Sequence, residues 1–482
     1  MRWSHTLHIV GALIFCIGLS MIFPLGFSLY YGDTGTIPLM QSMGITLAFG
    51  LAMFLLFRSP AVTVLSHREG MAIVAFGWGA AVAFGALPFY FGGVFETVVD
   101  AVFESCSGFS TTGASVLTDI ETVPRGLLFW RSFTHWLGGM GIIVLSLAIL
   151  PFLGVGGMQL YKAEVPGPVP DKLKPRIKDT ATVLWTVYVL FSALEATLLM
   201  LGGMDLFDSL CHTFGTMATG GFSTKNASIA HFDSVYIDTV ITIFMVVAGI
   251  NFSLHYQLLR GRPLVMWRDP EFRFFSGLLV VFTAIIVIYV HGANYSSLGA
   301  ALRHGAFQVA SILTTTGYAT ADYELWPPLA QCILALCMFI DGSAGSTAGG
   351  MKCMRILVLL KHAYHELFRL IHPRIFIHVK FGKRVVPSEV LSSIWGFFLL
   401  WLGLLVISVF LVAATGVDVL TSFASVLACM GNIGPGLGNV GPIDNYAFFA
   451  LPAKWILIFC MLLGRLEIYT IVVLFIPEFW RK

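Results

Sequence analysis

Charged residues are scarce in this sequence. Lysine, arginine, aspartate and glutamate make up 11% of its 482 residues, whereas they make up about 25% of a soluble globular domain. Apolar residues reach 57%, and the formal net charge is only +2. This composition predicts an integral membrane protein whose partner is membrane lipid, and it excludes a bulk positive field for binding nucleic acid.

The sequence also lacks the common motifs of enzyme sites. Its eight cysteines include no Cys-x-x-Cys pair, and it contains neither a Walker A motif nor a Gly-x-Ser-x-Gly motif. The stretch KHAYHE, residues 361–366, holds two histidines and a glutamate, but it is not the His-Glu-x-x-His of zinc proteases. We therefore predict buried free thiols, no catalytic site and no organic cofactor.

Ten apolar stretches are long enough to cross a bilayer, which takes about 20 residues. The eighth is too long for one span, and the sequence DGSAGSTAGG, residues 341–350, interrupts it. With a cytoplasmic N-terminus, most of the 28 lysines and arginines fall in cytoplasmic segments, as topology rules require. The stretches run over residues 7–30, 37–57, 71–92, 126–153, 181–203, 235–259, 274–292, 328–360, 389–414 and 452–477.

After two leading spans, one pattern recurs four times: a long apolar helix, a half-helix of about 12 residues that is too short to span, a glycine-centred segment and a second helix. The glycine-centred segments, called knots here, read STTGAS (110–115), ATGGFS (218–223), TTTGYA (314–319) and GNIGPG (431–436). Such recurrence predicts an all-α polytopic membrane protein with four pseudo-symmetric helix–pore loop–helix repeats around one central pore. The predicted boundaries are 1–70 for the leading helices and 71–155, 156–265, 266–365 and 366–482 for the repeats.

The knots have the chemistry of a cation filter. Non-helical backbone at membrane depth is tolerated where it is buried in protein or lines a water-filled cavity, and four knots on one axis can offer carbonyl oxygens to a dehydrated cation. Without converging carboxylates the site suits a monovalent ion better than calcium or magnesium. Plain turns at the ends of spans are the alternative. The predicted filter residues are Thr111, Thr112, Gly113, Ala218, Thr219, Gly220, Thr315, Thr316, Gly317, Asn432, Ile433 and Gly434, with Gly113, Gly220, Gly317 and Gly434 taken as equivalent.

Two features predict a gate. A charge at mid-bilayer costs at least about 2.5 to 3.5 kcal/mol, so Arg465, inside the tenth stretch, is predicted to project into the pore and oppose cation passage. The alternative is an ion pair with Glu195 or another carboxylate. The glycine-rich interruption is predicted to be a second, mobile gate, or else a passive kink. Its residues are Gly342, Gly345, Ser346, Gly349 and Gly350, with Lys352 beside them.

Other interpretations stay open at this point. Asn251 is either a helix-to-helix hydrogen bonder or a pore contact. The basic loops 162–178 and 355–384 either follow the topology rule alone or also dock a regulatory partner. Asp341 and Glu195, acidic residues in apolar sequence, keep open a secondary transporter with alternating access that is coupled to protons or sodium.

The sequence resembles the membrane subunits of bacterial Trk potassium uptake systems, the TrkH and TrkG group of the Trk, Ktr and HKT superfamily. The fourth knot departs from the potassium-channel sequence, because its proline removes an amide. The resemblance implies K⁺ as the transported ion, a homodimer in the bacterial inner membrane with both termini cytoplasmic, and a cytosolic nucleotide-binding regulatory subunit of the TrkA type that responds to NAD(H) or ATP. Matching stretches are the four knots, GGMQLYKAEVPGP (156–168), GGFST (220–224), AGSTAGGMK (344–352), HPR (372–374) and GRLEIYT (464–470).

Overall fold

The computed structural model describes residues 2–58, 66–139, 141, 177–373, 378–382 and 384–481. These residues are mostly helical, and the strands among them are one short antiparallel pair, Lys380–Phe381 with Arg384–Val385. The predicted all-α class is confirmed. The matching stretch 156–168 and nearly all of the basic loop 162–178 lie outside the described residues.

The described part of the chain holds six helices that are long and apolar enough to cross a membrane, so the protein is a multi-pass membrane protein. Two further helix pairs reach that length if each bent pair is counted as one span. The predicted span 126–153 lies partly outside the described residues. The six spans are Trp3–Tyr31, Thr36–Leu56, Arg68–Phe91, Ala181–Leu201, Pro270–Val290 and Ser388–Ala413, and the bent pairs are Val235–Gly249 with Phe252–Leu259 and Leu451–Arg465 with Tyr469–Phe475.

The leading helices pack closely because small residues lie at their contact. Helices Trp3–Ser20 and Ile22–Tyr31 together form the first span, and Thr36–Leu56 returns against it. A Cβ atom on Gly11 or Gly50 would come within 3.0 Å of backbone atoms of the opposite helix. In lipid, helix association depends on such close backbone approach.

Four units follow, each with a first helix, a half-helix, a knot and a second helix. The first helices are His67–Gly85, Ile177–Leu201, Pro270–Val290 and Ser388–Ala413. The half-helices are Val98–Phe109, Leu206–Met217, Leu298–Leu313 and Val419–Gly431. The second helices are Arg125–Gly139, Val235–Gly249, Pro328–Cys337 and Leu451–Arg465. The shorter helices are Leu87–Phe91, Phe252–Leu259, Pro263–Arg268, Tyr469–Val472 and Pro477–Trp480, and Cys353–Ile371 follows the interruption.

The half-helices begin with the same local chemistry in every unit. The residue before each one accepts a hydrogen bond through its side chain from the backbone N–H three positions on. This satisfies one of the four N–H groups that a helix start leaves without a partner. The capping residues are Thr97, Asp205, Ser297 and Asp418.

The second helices of the last three units are all interrupted. The interruption at 341–350 is confirmed, since no helix covers residues 338–352. The bends within the predicted spans 235–259 and 452–477 were not predicted: the chain bends by 105° at the first break and by 113° at the second. Arg465 is therefore the last residue of a helix rather than its middle.

Candidate ion filter and the segment beneath it

The second residue of each knot lies in the left-handed region of backbone space. Thr111, Thr219, Thr315 and Asn432 have φ values of 55°, 55°, 60° and 54°. A positive φ is a genuine outlier for a β-branched residue such as threonine. Three threonines in the same unfavourable conformation show that the surrounding fold imposes it, and such strain collects at functional sites.

A glycine with positive φ lies two residues after each of these positions. The glycines are Gly113, Gly221, Gly317 and Gly434, with φ values of 84°, 76°, 81° and 97°. The predicted alignment of the second knot is therefore wrong by one residue, since Gly221 and not Gly220 occupies the equivalent place. Ala218, predicted as a filter residue, is the C-cap of its half-helix.

The four knots form a closed ring. A Cβ atom on Gly113 would come within 3.0 Å of the Gly220 carbonyl oxygen, a separation that real Cβ atoms essentially never show. The same relationship repeats from each knot to the next. Gly221 lies against the Thr316 carbonyl oxygen, Gly317 against that of Ile433, and Gly434 against that of Thr112. The first knot thus contacts the second, the second the third, the third the fourth, and the fourth the first.

Among the described residues, most backbone carbonyls of this ring lack a hydrogen-bond donor. Each knot contributes three, from its left-handed residue to its glycine, which makes twelve. Of these twelve, only the Gly434 carbonyl accepts a hydrogen bond from the described residues, at 2.7 Å from the Tyr446 hydroxyl. Buried carbonyls nearly always have a donor. A ring of eleven carbonyls without one has the ligand set for a dehydrated cation.

Asn432 makes the fourth knot different from the others. Its amide nitrogen lies 2.9 Å from the Thr112 hydroxyl and 2.9 Å from the Met461 carbonyl, and it donates to both. Asparagine is one of the few residues that readily takes the left-handed conformation. The side chain therefore ties the fourth knot to the first, where the other knots have threonine.

The interruption between Cys337 and Cys353 contacts the ring on the side where the half-helices end. The Gly349 N–H donates to the Thr315 hydroxyl at 3.0 Å, and Gly349 packs against Asn432 so closely that a Cβ atom would clash. The Thr347 hydroxyl lies 3.0 Å from the carbonyl of Met217, the last residue of the second half-helix. The segment therefore contacts the second, third and fourth units beside their knots.

The same segment is tied to the second helix of the second unit. Ser343 N–H donates to the Gly249 carbonyl at 2.9 Å, and Phe252 N–H donates to the Gly345 carbonyl at 3.0 Å. The first helix of the third unit adds Glu271, which accepts from the Ala344 N–H at 2.8 Å. These bonds hold the non-helical chain in one defined path.

A charged side chain at each end of this segment bonds the segment's own backbone. The Asp341 carboxylate accepts from the Met351 N–H, and the Lys352 ammonium donates to the Ala348 carbonyl. Asp341 is 0% exposed and Lys352 is 4% exposed. Both side chains therefore stabilise the fold of the segment itself.

Arg465 reaches the segment from the fourth unit. Its guanidinium donates to the Thr347 carbonyl at 2.8 Å and to the Gly139 carbonyl at 2.7 Å, and it also bonds the Gly138 carbonyl. Gly138 and Gly139 end the described second helix of the first unit. Arg465 thereby joins the segment to the first unit, which the segment's own bonds do not reach among the described residues.

The carboxylates considered as partners of Arg465 lie elsewhere. Glu195 is 0% exposed, and neither of its carboxylate oxygens has a hydrogen-bond partner among the described residues. Glu467 pairs with Arg355. The alternative interpretation, an ion pair between Arg465 and Glu195, is therefore wrong.

Asn251 has a local role that neither interpretation foresaw. It caps helix Phe252–Leu259 after the 105° bend, and its side-chain oxygen accepts from the Ser253 N–H at 2.8 Å. The residues of KHAYHE lie on helix Cys353–Ile371. No group of three metal-ligating side chains occurs among the residues that the structure describes.

The polar groups behind the knots were not predicted from the sequence. Arg131 and Glu104 form a buried ion pair with 2.6 Å between Nε and Oε1. The Tyr323 hydroxyl donates to the Gly436 carbonyl at 2.8 Å. The available signal was weak, since it consisted of Arg131 and Glu104 lying within or beside apolar sequence 27 residues apart.

Comparisons with known proteins agree with this architecture. The model of the TrkH family, described as cation transport protein, matches residues 37–482. The Trk system potassium uptake protein TrkH of Escherichia coli (strain K12) is 45% identical over 100% of both chains, and the TrkG protein of that strain is 36% identical over 100% of both chains. The crystal structure of the potassium transporter TrkH from Vibrio parahaemolyticus covers 100% of both chains with a TM-score of 0.90 and 37% identity.

Proposed function

The chain belongs to the TrkH family of cation transport proteins and transports potassium across the membrane, and we propose that the ion passes through the ring of four knots. The filter consists of the left-handed residue, the next residue and the glycine of each knot. These residues are 111–113, 219–221, 315–317 and 432–434. The second group begins one residue later than the sequence-based prediction, which began at Ala218.

One observation carries this proposal: in the described part of the chain, all the filter carbonyls except that of Gly434 lack a hydrogen-bond donor, although residues such as Thr112, Thr316 and Ile433 are 0% exposed. Backbone oxygens can replace the hydration shell of an alkali ion. The filter positions contain no aspartate or glutamate, and calcium and magnesium usually bind through such carboxylates. The half-helices end at the knots, and a helix C-terminus carries about half a negative charge, which favours a cation there.

The gate in this proposal has two parts. The segment 342–350 blocks the ion path beneath the ring, with Gly342, Gly345, Ser346, Gly349, Gly350 and Lys352 as its predicted residues. Arg465 holds the segment through the Thr347 carbonyl and adds a positive charge that opposes cation passage. Opening requires the segment to leave the Thr315 and Met217 contacts. The contacts with all four units support this role over a passive kink.

A second function is potassium symport with H⁺ or Na⁺ by alternating access. Glu195 favours it, because a buried carboxyl group without a hydrogen-bond partner in the described residues is a functional candidate within a membrane span. Saturating flux with a fixed ion stoichiometry supports symport, whereas flux that rises linearly with the driving force supports a channel.

We extend the proposal to the assembly. The protein is a homodimer in the bacterial inner membrane with both termini cytoplasmic, and a cytosolic TrkA-type subunit that binds NAD(H) or ATP regulates it. The relatives' names, which refer to a Trk system, support a further subunit. The repeats keep the boundaries 71–155, 156–265, 266–365 and 366–482, and each contains one half-helix and one knot.

Rubidium uptake into liposomes that contain only the purified protein tests the function. Uptake competed by potassium more strongly than by sodium or lithium supports the proposal. Equal competition by all three ions contradicts a filter of fixed size, and uptake no faster than in empty liposomes contradicts conduction by this chain alone.

A further inference from the structure

The carbonyl two residues after the filter glycine is held in the same way in every knot. In each case it accepts a hydrogen bond from the preceding unit in the ring. The Ser115 carbonyl accepts from the Tyr446 N–H at 2.8 Å, Ser223 from the Arg131 guanidinium at 3.0 Å, Ala319 from the Ala230 N–H at 3.1 Å, and Gly436 from the Tyr323 hydroxyl at 2.8 Å. We call these four bonds the collar.

The collar runs around the ring in the same order as the glycine contacts. The fourth unit holds the first knot, the first unit holds the second, the second holds the third, and the third holds the fourth. Because these carbonyls are bonded to protein donors, the chain just beyond each filter glycine is anchored to its neighbour. Among the described residues, the filter carbonyls before that point have only one donor, the Tyr446 hydroxyl.

Arg131, one of the collar donors, is buried and contacts both a carboxylate and an aromatic ring. Its side chain is 2% exposed and lies 2.6 Å from Glu104, which is 0% exposed. Its guanidinium carbon lies 3.5 Å from the centre of the Phe222 ring. Glu104 in turn accepts from the Val116 N–H at 3.0 Å and from the Ser115 hydroxyl at 2.9 Å. The ion pair thus connects the chain that leaves the first knot with the chain that leaves the second.

Tyrosine hydroxyls from the third unit bond the knots on either side of it. Tyr323 is 0% exposed and bonds Gly436. Tyr318, also 0% exposed, follows the third filter glycine, and its hydroxyl lies 3.1 Å from the Phe222 carbonyl and 3.0 Å from the His212 carbonyl. This hydroxyl therefore adds hydrogen bonds between the third knot and the second unit.

We propose that the collar fixes the width of the filter, so that Arg131 and Tyr323 are positioning residues for discrimination between potassium and the smaller sodium and lithium ions. A carbonyl site disfavours a small ion only if its oxygens are kept from closing around it. The collar bonds supply this restraint, because each bond holds a knot against the preceding unit of the ring and so keeps its oxygens from moving inward to the ion. This inference rests on the proposed function of the ring as the filter.

The test compares Tyr323→Phe and Arg131→Lys with the unaltered protein in liposomes, with rubidium uptake competed by sodium and lithium. Tyr323→Phe removes a single hydroxyl, while the ammonium of Arg131→Lys cannot bond Glu104 and Ser223 in the arginine's geometry. Both variants are expected to lower the preference for rubidium about threefold to tenfold, the ratio that one hydrogen bond represents. Tyr236→Phe is the matched control, since its hydroxyl donates to the Leu198 carbonyl at 3.2 Å, away from the knots, and its preference should not change.

If both Tyr323→Phe and Arg131→Lys keep the preference of the unaltered protein for rubidium over sodium and lithium, the inference is overturned. If only one variant inserts stably, that variant decides the outcome. Gly317→Ala in the same liposomes separates this failure from failure of the proposed function. If Gly317→Ala abolishes uptake but the collar variants keep their preference for rubidium over sodium and lithium, the role of the collar is rejected and the ring remains the ion path. If Gly317→Ala takes up rubidium normally, the ring is rejected as the ion path, and the role of the collar is rejected with it.

Discussion

The guanidinium of Arg465 lies 2.8 Å from the carbonyl oxygen of Thr347, although the two residues are 118 positions apart. The same side chain reaches the Gly139 carbonyl at 2.7 Å. One arginine thereby fastens the segment under the filter to the second helix of the first unit. Arg465 therefore places a positive charge beside the segment and also holds the segment by hydrogen bonds, and both effects favour a closed cation path.

Replacing Arg465 should open this path. Arg465→Ala removes the tie and the charge, and a hydrogen bond to a charged group contributes about 1.5 to 3 kcal/mol. We expect basal rubidium flux to rise about tenfold or more, measured in liposomes without any regulatory subunit. Arg369→Ala, at an exposed site that pairs with Glu366, should leave flux unchanged. Equal flux in Arg465→Ala and the unaltered protein rules out the gate role.

The Thr347 hydroxyl gives a milder test of the segment. Thr347→Val keeps the shape of the side chain but removes its bonds to the Met217 and Ala248 carbonyls, at 3.0 and 3.2 Å. Basal flux should rise about threefold to tenfold, because each neutral bond contributes roughly 0.5 to 1.5 kcal/mol. Thr239→Val removes a hydroxyl bond on an exposed helix face and serves as the control. Identical flux in the two variants would contradict a role of the Thr347 hydroxyl in holding the segment closed.

The glycine register can be tested directly in the second knot. Gly221→Ala places a methyl group against the Thr316 carbonyl at a φ of 76°. Uptake should fall at least about tenfold, since the methyl group adds a clash to the backbone strain of roughly 1 to 3 kcal/mol. Gly203→Ala has a φ of 98° but meets nothing within 4 Å, so it controls for strain alone. Normal uptake in Gly221→Ala would remove this glycine from the ion path.

The caps of the half-helices make a prediction about stability. Ser297→Ala leaves the Ala300 N–H without its side-chain acceptor, which now lies at 3.1 Å. The free energy of unfolding should fall by about 1 kcal/mol, read from the denaturation midpoint in detergent. Ser297→Asp retains an acceptor and should stay near the unaltered value. An unchanged midpoint in Ser297→Ala would mean that this cap adds nothing to stability.

The repeat architecture was predictable because its signals recur. Four knots at similar spacing, each after a segment too short to span, outweigh any single glycine turn. The register of the second knot was not predictable, because Gly220 and Gly221 are adjacent and glycine accepts positive φ at either position. In the structure, the positive φ of Gly221 and its contact with the Thr316 carbonyl of the next knot select this glycine.

The bend after Arg465 could not be predicted from the sequence, for a different reason. The sequence on both sides of Arg465 is apolar, so hydropathy predicts one continuous helix. The bend depends on distant partners, among them the Thr347 carbonyl for Arg465 and Arg355 for Glu467. Residues more than 100 positions apart leave no periodic trace in the local sequence, and the same holds for the collar bond from Tyr323 to Gly436.

The central claim is that carbonyl oxygens of the four knots bind the passing ion. Anomalous diffraction from crystals grown with thallium, a heavy substitute for potassium, tests it most directly. The account predicts thallium peaks on the axis of the ring, within coordination distance of the carbonyls of Thr112, Gly220, Thr316 and Ile433. Thallium peaks only outside the ring, at acidic side chains such as Glu195, would contradict it.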